Sequence, residues 1–498
     1  MPLVCLSLTA KTIAENLAVL ERYRGKIDMA ELRADLLDPS EAFAVRDFPV
    51  LANLPCILAV RRKCDGGVFV DGEGQRLVML AKAIAYARPD QSANYAYVDL
   101  ESDFRVPSVE EACHTFGTRI IRSRHDISGM PSDLDEAWAE LAAEPGEIPK
   151  LAVTPRGADD FARLFTWAST LPAGERIIVG MGEYGVPSRV LAERLGCRIA
   201  YTSALRAGLH GAAPGHLDPI ALEEIYRFRE LDRDTVVYAL GGGTNVLASK
   251  TPQLHNAAFK AAGINAVYVP MPAGSAESFL VALEATSAQG AAVTVPLKES
   301  LIPYLARCSP EVDDIGACNT LVREEGGWAG YDTDAQGFER ALLEFMGGVK
   351  LRGLRATLVG AGGVAKAIAH VLAQQGVHTI ILNRTVAKAR VLAQRYGFAY
   401  GPCTEHSTEL VADHADIVIQ ATSVGMEGER QGDPLDWYDF SGREAVFDLI
   451  YRPERSILLE RAAAAGCRIT NGWKMLRYQS AAQFALWTGR EPPAPYFL

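Results

Sequence analysis

The sequence predicts an α/β protein in two halves, a closed (β/α)8 barrel and then a two-domain α/β half that ends in a dinucleotide-binding unit. Three observations predict it. Eight short β-type runs alternate with helical patterns over roughly 230 residues, the signature of parallel strands with helical crossovers. No glycine fingerprint follows the first strand, which argues against an open doubly wound sheet there. Much later, an apolar run at 356–359 breaks into Gly360, Ala361, Gly362, Gly363 and Val364, and an Ala-rich helix follows over 365–374.

The barrel strands are expected at 3–8, 27–32, 56–60, 95–100, 119–122, 151–154, 176–181 and 199–202. Helices are expected at 13–22, 40–51, 73–87, 109–116, 134–143, 158–169, 188–195 and 219–229. In such a barrel, polar residues at the carboxyl ends of strands are the catalytic candidates. They recur here: Glu31 and Arg33, Arg61 and Arg62, Asp99 and Glu101, Ser123 to Asp126, and Arg189. Lys150 stands out because it opens the sixth strand. Lysine is rarely buried without need, and a desolvated lysine beside arginines becomes a nucleophile toward carbonyls.

Bulk numbers narrow the rest. With 498 residues, 49% apolar and 22% charged content, the chain reads as an ordinary globular protein of two or three domains. A net charge of −11 and no basic run argue against a nucleic-acid surface. Nine cysteines without a CxxC pair suggest neither zinc nor disulfides, so no metal is expected and the thiols read as reduced. No apolar run reaches bilayer length, and the chain enters a strand at once, which leaves no room for a leader. A cytoplasmic protein is expected, plastid only if an upstream transit peptide was removed. The join at 226–234 is charged and free of Gly and Pro, unlike a flexible tether.

In the second half, strands are expected at 236–240, 266–269, 291–295 and 320–322, with helices at 252–262, 276–287, 299–306 and 335–345. The glycine turn then gives a Rossmann unit. Its glycines let a pyrophosphate approach, and the helix N-terminus supplies free N–H groups and a positive dipole end. The next strand ends in Asn383, Arg384 and Thr385, where an NAD site would place an acid for the ribose hydroxyl. A cation there suits a 2′-phosphate, so NADP is the expected cofactor. A second strand-to-loop turn, with Thr422, Ser423, Gly425 and Met426, suits the nicotinamide side. A last helix is expected over 474–487.

Separated motifs carry two resemblances. Residues 1–230 resemble the type I 3-dehydroquinate dehydratases through Glu31-Leu32-Arg33, Arg61 with Asp65-Gly66-Gly67, Ser123-Arg124-His125-Asp126, Ile148 to Ala152, and Ser188-Arg189. That resemblance implies an iminium between Lys150 and the ketone of 3-dehydroquinate, with His125 as acid and base. It implies Arg189 on the carboxylate, and Glu31, Arg33 and Arg61 on ring oxygens. Three departures are present: Asp65 where glutamate is usual near the histidine, and Ala212 and His216 where the closing loop usually has serine and glutamine. The shorter Asp65 is expected to orient His125 through water, in a slower dehydratase.

The second half resembles shikimate dehydrogenase through Ser249-Lys250-Thr251-Pro252, Val293 to Lys298, Ile315 to Thr320, Tyr331 to Asp334, Asn383-Arg384-Thr385, Asp448 to Tyr451, and Gln479. This implies Lys298 and Asp334 as the catalytic pair. It also implies Ser249, Thr251 and Tyr451 on the substrate carboxylate, Thr294, Asn319 and Gln479 on ring hydroxyls, and Gly472 on the cofactor. Ala292 departs from a usual asparagine, and Thr251 from a usual serine.

The expected whole is a bifunctional enzyme that dehydrates 3-dehydroquinate and reduces the product with NADPH to shikimate. Its domains would be 1–230, 235–348, 349–472 and 473–498. Its partners would be these small molecules, with no nucleic acid and no membrane. Two rivals are a quinate-directed dehydrogenase, against which Arg384 speaks, and a catalytically dead metabolite sensor, which would lack Lys150 or Lys298.

Overall fold

The computed structural model describes residues 1–85, 88–209, 211–494, 496 and 497 of the chain, and it divides into two compact units. The first holds residues 1–256 and 265–288, and the second holds the rest.

Eight strands open the first unit: β1 Leu3–Leu8, β2 Met29–Arg33, β3 Cys56–Ala59, β4 Tyr97–Glu101, β5 Arg119–Asp126, β6 Ile148–Val153, β7 Ile177–Gly180 and β8 Ile199–Ser203. Their order is β7-β6-β5-β4-β3-β2-β1-β8, and every neighbouring pair is parallel. The seam between β7 and β8 closes on one parallel bridge, Arg176 to Cys197. The Cys197 thiol reinforces it by accepting from the Ile178 N–H at 3.4 Å and donating to the Ile178 carbonyl at 3.3 Å.

Strand periodicity explains where the polar groups go. Cys5, Met29, Ile57, Tyr97, Ile121, Ile148, Ile177 and Ile199 form one buried apolar layer. Successive side chains alternate between faces, so residues two further on stack directly above it. They are Ser7, Glu31, Ala59, Asp99, Ser123, Lys150, Val179 and Tyr201. Two further on again stand Arg33, Arg61, Glu101 and His125. An apolar floor with a polar storey above it follows from the register alone.

Several boundaries differ from expectation. Lys150 does not open its strand: β6 begins at Ile148, and Pro149, which reads as a boundary because it lacks an N–H, lies one residue inside. The helix expected over 40–51 is three short turns, Pro39–Glu41, Ala44–Asp47 and Phe48–Ala52, with Pro49 the second residue of the last. The helix expected over 188–195 runs Gly182–Val190. A Cβ on Gly185 would lie 2.2 Å from the Gly180 carbonyl carbon, so this glycine lets the helix touch β7 instead of breaking it. The helix expected over 73–87 runs Glu73–Ile84, and residues 86 and 87 lie outside the described residues.

The join is tied down. Arg227 donates to the Ala266 carbonyl at 2.9 Å, and Arg229 pairs with Asp28 at 3.0 Å. The same unit contains the parallel strands Val236–Gly242 and Ala266–Pro272, and helix Ala276–Ala285 packs on barrel helix Ala158–Thr170.

The second unit contains an antiparallel set, Gly290–Val293, Thr320–Glu324 and Gly327–Tyr331, with Arg307–Cys308 parallel to the last. The glycine-rich strand Gly327–Tyr331 is not anticipated by the sequence, and the helix expected over 299–306 is split by Pro303 into Leu297–Ser300 and the turn Ile302–Tyr304. Six parallel strands follow, ordered 399–402, 378–383, 355–359, 417–420, 445–448 and 468–470. This is the 3-2-1-4-5-6 order of the Rossmann fold. The last helix, Trp473–Thr488, packs along Asp334–Met346, where Gly337 lets the Gln479 backbone approach.

Candidate active sites

A cavity of about 90 Å³ sits over the polar storey of the barrel, and its lining includes Glu31, Arg33, Arg61, Asp65, His125, Lys150, Arg189 and His216. Of the barrel candidates, these eight line one space, whereas Arg62, Asp99, Glu101, Ser123, Arg124 and Asp126 do not line it. Lys150 Nζ lies 2.7 Å from Asp99 Oδ2 and 4.1 Å from the centre of the Tyr201 ring. Arg61 reaches Asp99 at 2.8 Å and Glu101 at 2.7 Å, and it donates to Ser123 Oγ at 3.2 Å. Burial pushes the Asp99 carboxyl up, but Arg61 and Lys150 outweigh it and hold the group well below the usual carboxylate range.

His125 is neutral. Burial, then the Arg61 and Lys150 cations, push it well below the ordinary imidazole value. Arg61 lies 3.2 Å from His125 Nδ1, and since a guanidinium can only donate, Nδ1 is the unprotonated nitrogen. Asp65 reaches the cavity wall, but its carboxylate pairs with Arg62 at 2.6 Å and accepts from Cys64 Sγ at 3.3 Å. The group that touches the histidine is Arg61, not Asp65.

Arg189 is fitted for an anion. Its Nε is buried without a partner, as is the Tyr201 hydroxyl, and burial lowers the guanidinium to about 9. Glu31 accepts from Ser7 at 2.6 Å, and Arg33 is held by Asp35 through two contacts of 2.8 Å. Ala212 and His216 also line the cavity. Tyr201 and Ser203 are contributors that the sequence motifs do not contain, and counting in twos from the apolar layer finds them.

In the rest of the first unit, Ser249 Oγ lies 2.9 Å from Thr251 Oγ1, at the start of helix Thr251–Ala261.

In the second unit, Lys298 Nζ is paired with Asp334 Oδ2, and both are buried. Burial lowers the ammonium, but Asp334 outweighs this and raises it, so Lys298 stays charged. Asn319 donates to Thr333 Oγ1 and to Gln479 Oε1, each at 3.0 Å. Gln483 adds a bond to Thr320 at 3.1 Å. Thr294 is half-buried, and its carbonyl accepts from the Leu297 N–H at 2.9 Å. Tyr451 faces the Trp473 ring at 6.0 Å. A Cβ on Gly472 would fall 1.9 Å from the Leu449 carbonyl oxygen, so only glycine lets these segments meet.

Gly360, Asn383 and Thr422 stand at the carboxyl ends of three neighbouring parallel strands, where nucleotides bind in such sheets. Gly360 has φ +119°, and its Cβ position is crowded by Ala421 and Thr422. Gly362 caps helix Gly363–Gln374 with open space in front of it. Ala361 and Val364 flank the turn, and a Cβ on Gly363 would lie 3.2 Å from the Lys298 side chain. The glycine turn therefore lies directly against the Lys298 stem. Arg384 and Thr385 are exposed, and Asn383 donates to the Thr385 carbonyl at 3.0 Å. Ser423 accepts from the Met426 N–H through its carbonyl at 3.2 Å, and Gly425 has φ +93°. These residues fit a dinucleotide: a bare helix N-terminus, glycines at the close approach and a free cation beyond.

Residues 4–233 match the family model of type I 3-dehydroquinase. Residues 242–321 match the shikimate dehydrogenase substrate binding domain, 342–426 the shikimate/quinate 5-dehydrogenase model, and 472–498 the shikimate 5′-dehydrogenase C-terminal domain. The shikimate dehydrogenase (NADP(+)) of Moorella thermoacetica is 41% identical over 262 residues, 50% of this chain and 88% of that protein. The chain belongs to the shikimate dehydrogenase family. The corresponding enzyme of Pyrococcus furiosus is 37% identical over 52% of this chain and 93% of its own length. The chloroplastic bifunctional 3-dehydroquinate dehydratase/shikimate dehydrogenase of Arabidopsis thaliana is 29% identical over 94% of this chain and 78% of that protein. In this shikimate dehydrogenase a type I 3-dehydroquinase precedes the dehydrogenase half, so the chain is a bifunctional lyase and NADP-dependent oxidoreductase acting on small molecules. Among the described residues no helix is long and apolar enough to cross a membrane.

Proposed function

We propose that Lys150 and His125 carry the dehydration of 3-dehydroquinate and that Lys298 and Asp334 carry the reduction of 3-dehydroshikimate. The observation behind the first half is one cavity that holds an amine, a neutral imidazole and a buried, partly unpaired guanidinium. Arg189 takes the substrate carboxylate. Lys150 adds to the ketone, and its oxygen leaves as water, giving an iminium that acidifies the neighbouring C–H. His125 Nδ1 takes that proton once Arg61 turns from it to the ring oxygens, which Glu31 and Arg33 also hold. The same nitrogen then protonates the departing hydroxyl. Water releases 3-dehydroshikimate and restores the amine. Asp65 acts at one remove, by fixing Arg62 at the rim.

For the second reaction, NADPH supplies the hydride when bound. Gly360 to Val364 would hold its pyrophosphate, and Asn383, Arg384 and Thr385 its 2′-phosphate. Thr422, Ser423, Gly425, Met426 and Gly472 would lie along its nicotinamide side. As negative charge builds on the ketone oxygen, the Lys298 ammonium stabilises it and delivers a proton. Asp334 holds Lys298 in place. Ser249, Thr251 and Tyr451 take the carboxylate, and Thr294, Asn319 and Gln479 the ring hydroxyls.

We read the domains as 1–230, 235–348, 349–472 and 473–498, of which residues 86, 87, 210, 495 and 498 lie outside the described residues. Nine free cysteines and a net charge of −11 fit a reducing, cytoplasmic setting without a nucleic-acid partner. The test is a coupled assay with dehydroquinate and NADPH. Lys150→Ala abolishes cofactor oxidation from dehydroquinate but not from dehydroshikimate, and Lys298→Ala abolishes both. Borohydride plus dehydroquinate traps an adduct at Lys150, and no adduct there ends the dehydratase assignment.

A further inference from the structure

The loop over the dehydratase cavity lacks the serine and glutamine its relatives are expected to carry, and has Ala212 and His216 instead. Its polar anchorage lies on the barrel wall. Ser203, the last residue of β8, accepts the Ala212 N–H at 3.0 Å. The same oxygen lies 2.5 Å from His216 Nδ1. Ser203 therefore bridges both altered positions of the loop. Two cations of the cavity fasten the same segment: Arg33 donates to the Ala212 carbonyl at 3.2 Å and Arg189 to the Pro214 carbonyl at 3.3 Å. The Gly182 N–H reaches the Pro214 carbonyl at 3.0 Å, and Gly215 packs so tightly that a Cβ would lie 2.3 Å from the Gly182 carbonyl oxygen.

We propose that Ser203 and His216 are positioning residues acting as one couple, which pins the loop 211–216 across the barrel mouth and so sets affinity for the dehydratase substrate. The proposal rests on the dehydratase reading of this cavity. The ring does not work by changing charge near neutrality. Burial, then Arg189, Lys150 and Arg33, hold it well below its ordinary value. Arg33 and Arg189 each touch both the loop and the cavity, so a loop held in register holds both cations where a carboxylate and ring oxygens need them.

Three variants test it: Ser203→Ala, His216→Ala and the pair together, with His216→Gln as the conservative replacement, since a side-chain amide can either accept from or donate to Ser203 Oγ in place of Nδ1. The first readout is hydrogen exchange of the loop amides in the full chain, which needs no turnover. Ser203→Ala and His216→Ala each speed exchange at Ala212, the double variant is no faster than the faster single, and His216→Gln restores protection. The second readout is steady-state dehydration. Each single variant raises KM about tenfold, the effect of one lost buried hydrogen bond, with kcat within about twofold. Dehydroshikimate reduction by the same protein reports an intact dehydrogenase half, and borohydride trapping at Lys150 reports an intact barrel. Additive single effects, unchanged exchange at Ala212, or a fall in kcat at constant KM overturns the couple. Loss of the Lys150 adduct in the unaltered protein overturns the dehydratase reading separately.

Discussion

Lys150 Nζ and Asp99 Oδ2 meet at 2.7 Å inside the barrel although β5 separates their strands in the sheet. Both stand two residues above the apolar layer, so register brings them together. Asp99 also holds Arg61 at 2.8 Å, which makes it the shared counter-charge of two buried cations. Breaking a buried pair leaves an uncompensated charge and costs about 3–5 kcal/mol. Asp99→Asn is expected to destabilise the barrel by that amount. Lys150→Met costs less, because Asp99 keeps Arg61. Denaturant midpoints of the two variants check this, and equal losses would refute the asymmetry.

Acid should loosen the barrel through its histidines. His125 and His216 both lie well below the ordinary imidazole value in the folded chain, mainly through burial. The folded state then binds fewer protons than the unfolded one below about pH 6.5. Their contribution to stability is present above that value and lost as pH falls through it. The melting temperature is expected to drop between pH 7 and pH 5, and His125→Asn should flatten the drop. A slope unchanged in that variant would show that other groups govern it.

Much of this site was legible in the sequence, and the limits are instructive. Lys150, His125 and Arg189 sit in recognisable segments; strand alternation places Lys150 and His125 on one face, and Arg189 comes from the helix Gly182–Val190. Their partners were not legible, because Asp99 lies 51 residues before Lys150 and no local spacing joins them. Asp65 illustrates the cost: adjacency to the motif suggested the histidine, but a single turn places its carboxylate on Arg62, three residues away. Glycines misled in the other direction. Gly185 is a contact point of a helix, and the strand Gly327–Tyr331 owes its form to pairing with Thr320–Glu324, not to its own propensity.

Cofactor choice should turn on Arg384. It is exposed at the end of the second Rossmann strand, with Asn383 and Thr385 beside it and no acid among the three. A charge-assisted bond to a phosphate is worth about 1.5–3 kcal/mol, so Arg384→Ala should raise KM for NADPH about 10- to 100-fold. KM for NADH should hardly move. Initial rates with both cofactors decide it, and equal losses for both would place the residue elsewhere in function.

The second dehydrogenase acid, Asp332, is expected to lower stability where Asp334 does not. Its Oδ1 accepts the Ala335 N–H at 2.9 Å, but its Oδ2 is buried without a partner. Burial, then the neighbouring Asp334, lift its carboxyl to about 7, and Lys298 only partly offsets them. A carboxyl raised in the folded state binds a proton that the unfolded chain has already released above about pH 4. Its favourable contribution is therefore present at acid pH and lost as pH rises toward 7. Asp332→Asn keeps the shape and the Ala335 bond but cannot ionise. The variant should be more stable than the natural chain at pH 8, with the advantage shrinking toward pH 5. Unfolding by denaturant at the two pH values measures this, and a parallel pH dependence in both proteins would mean that Asp332 is ionised throughout.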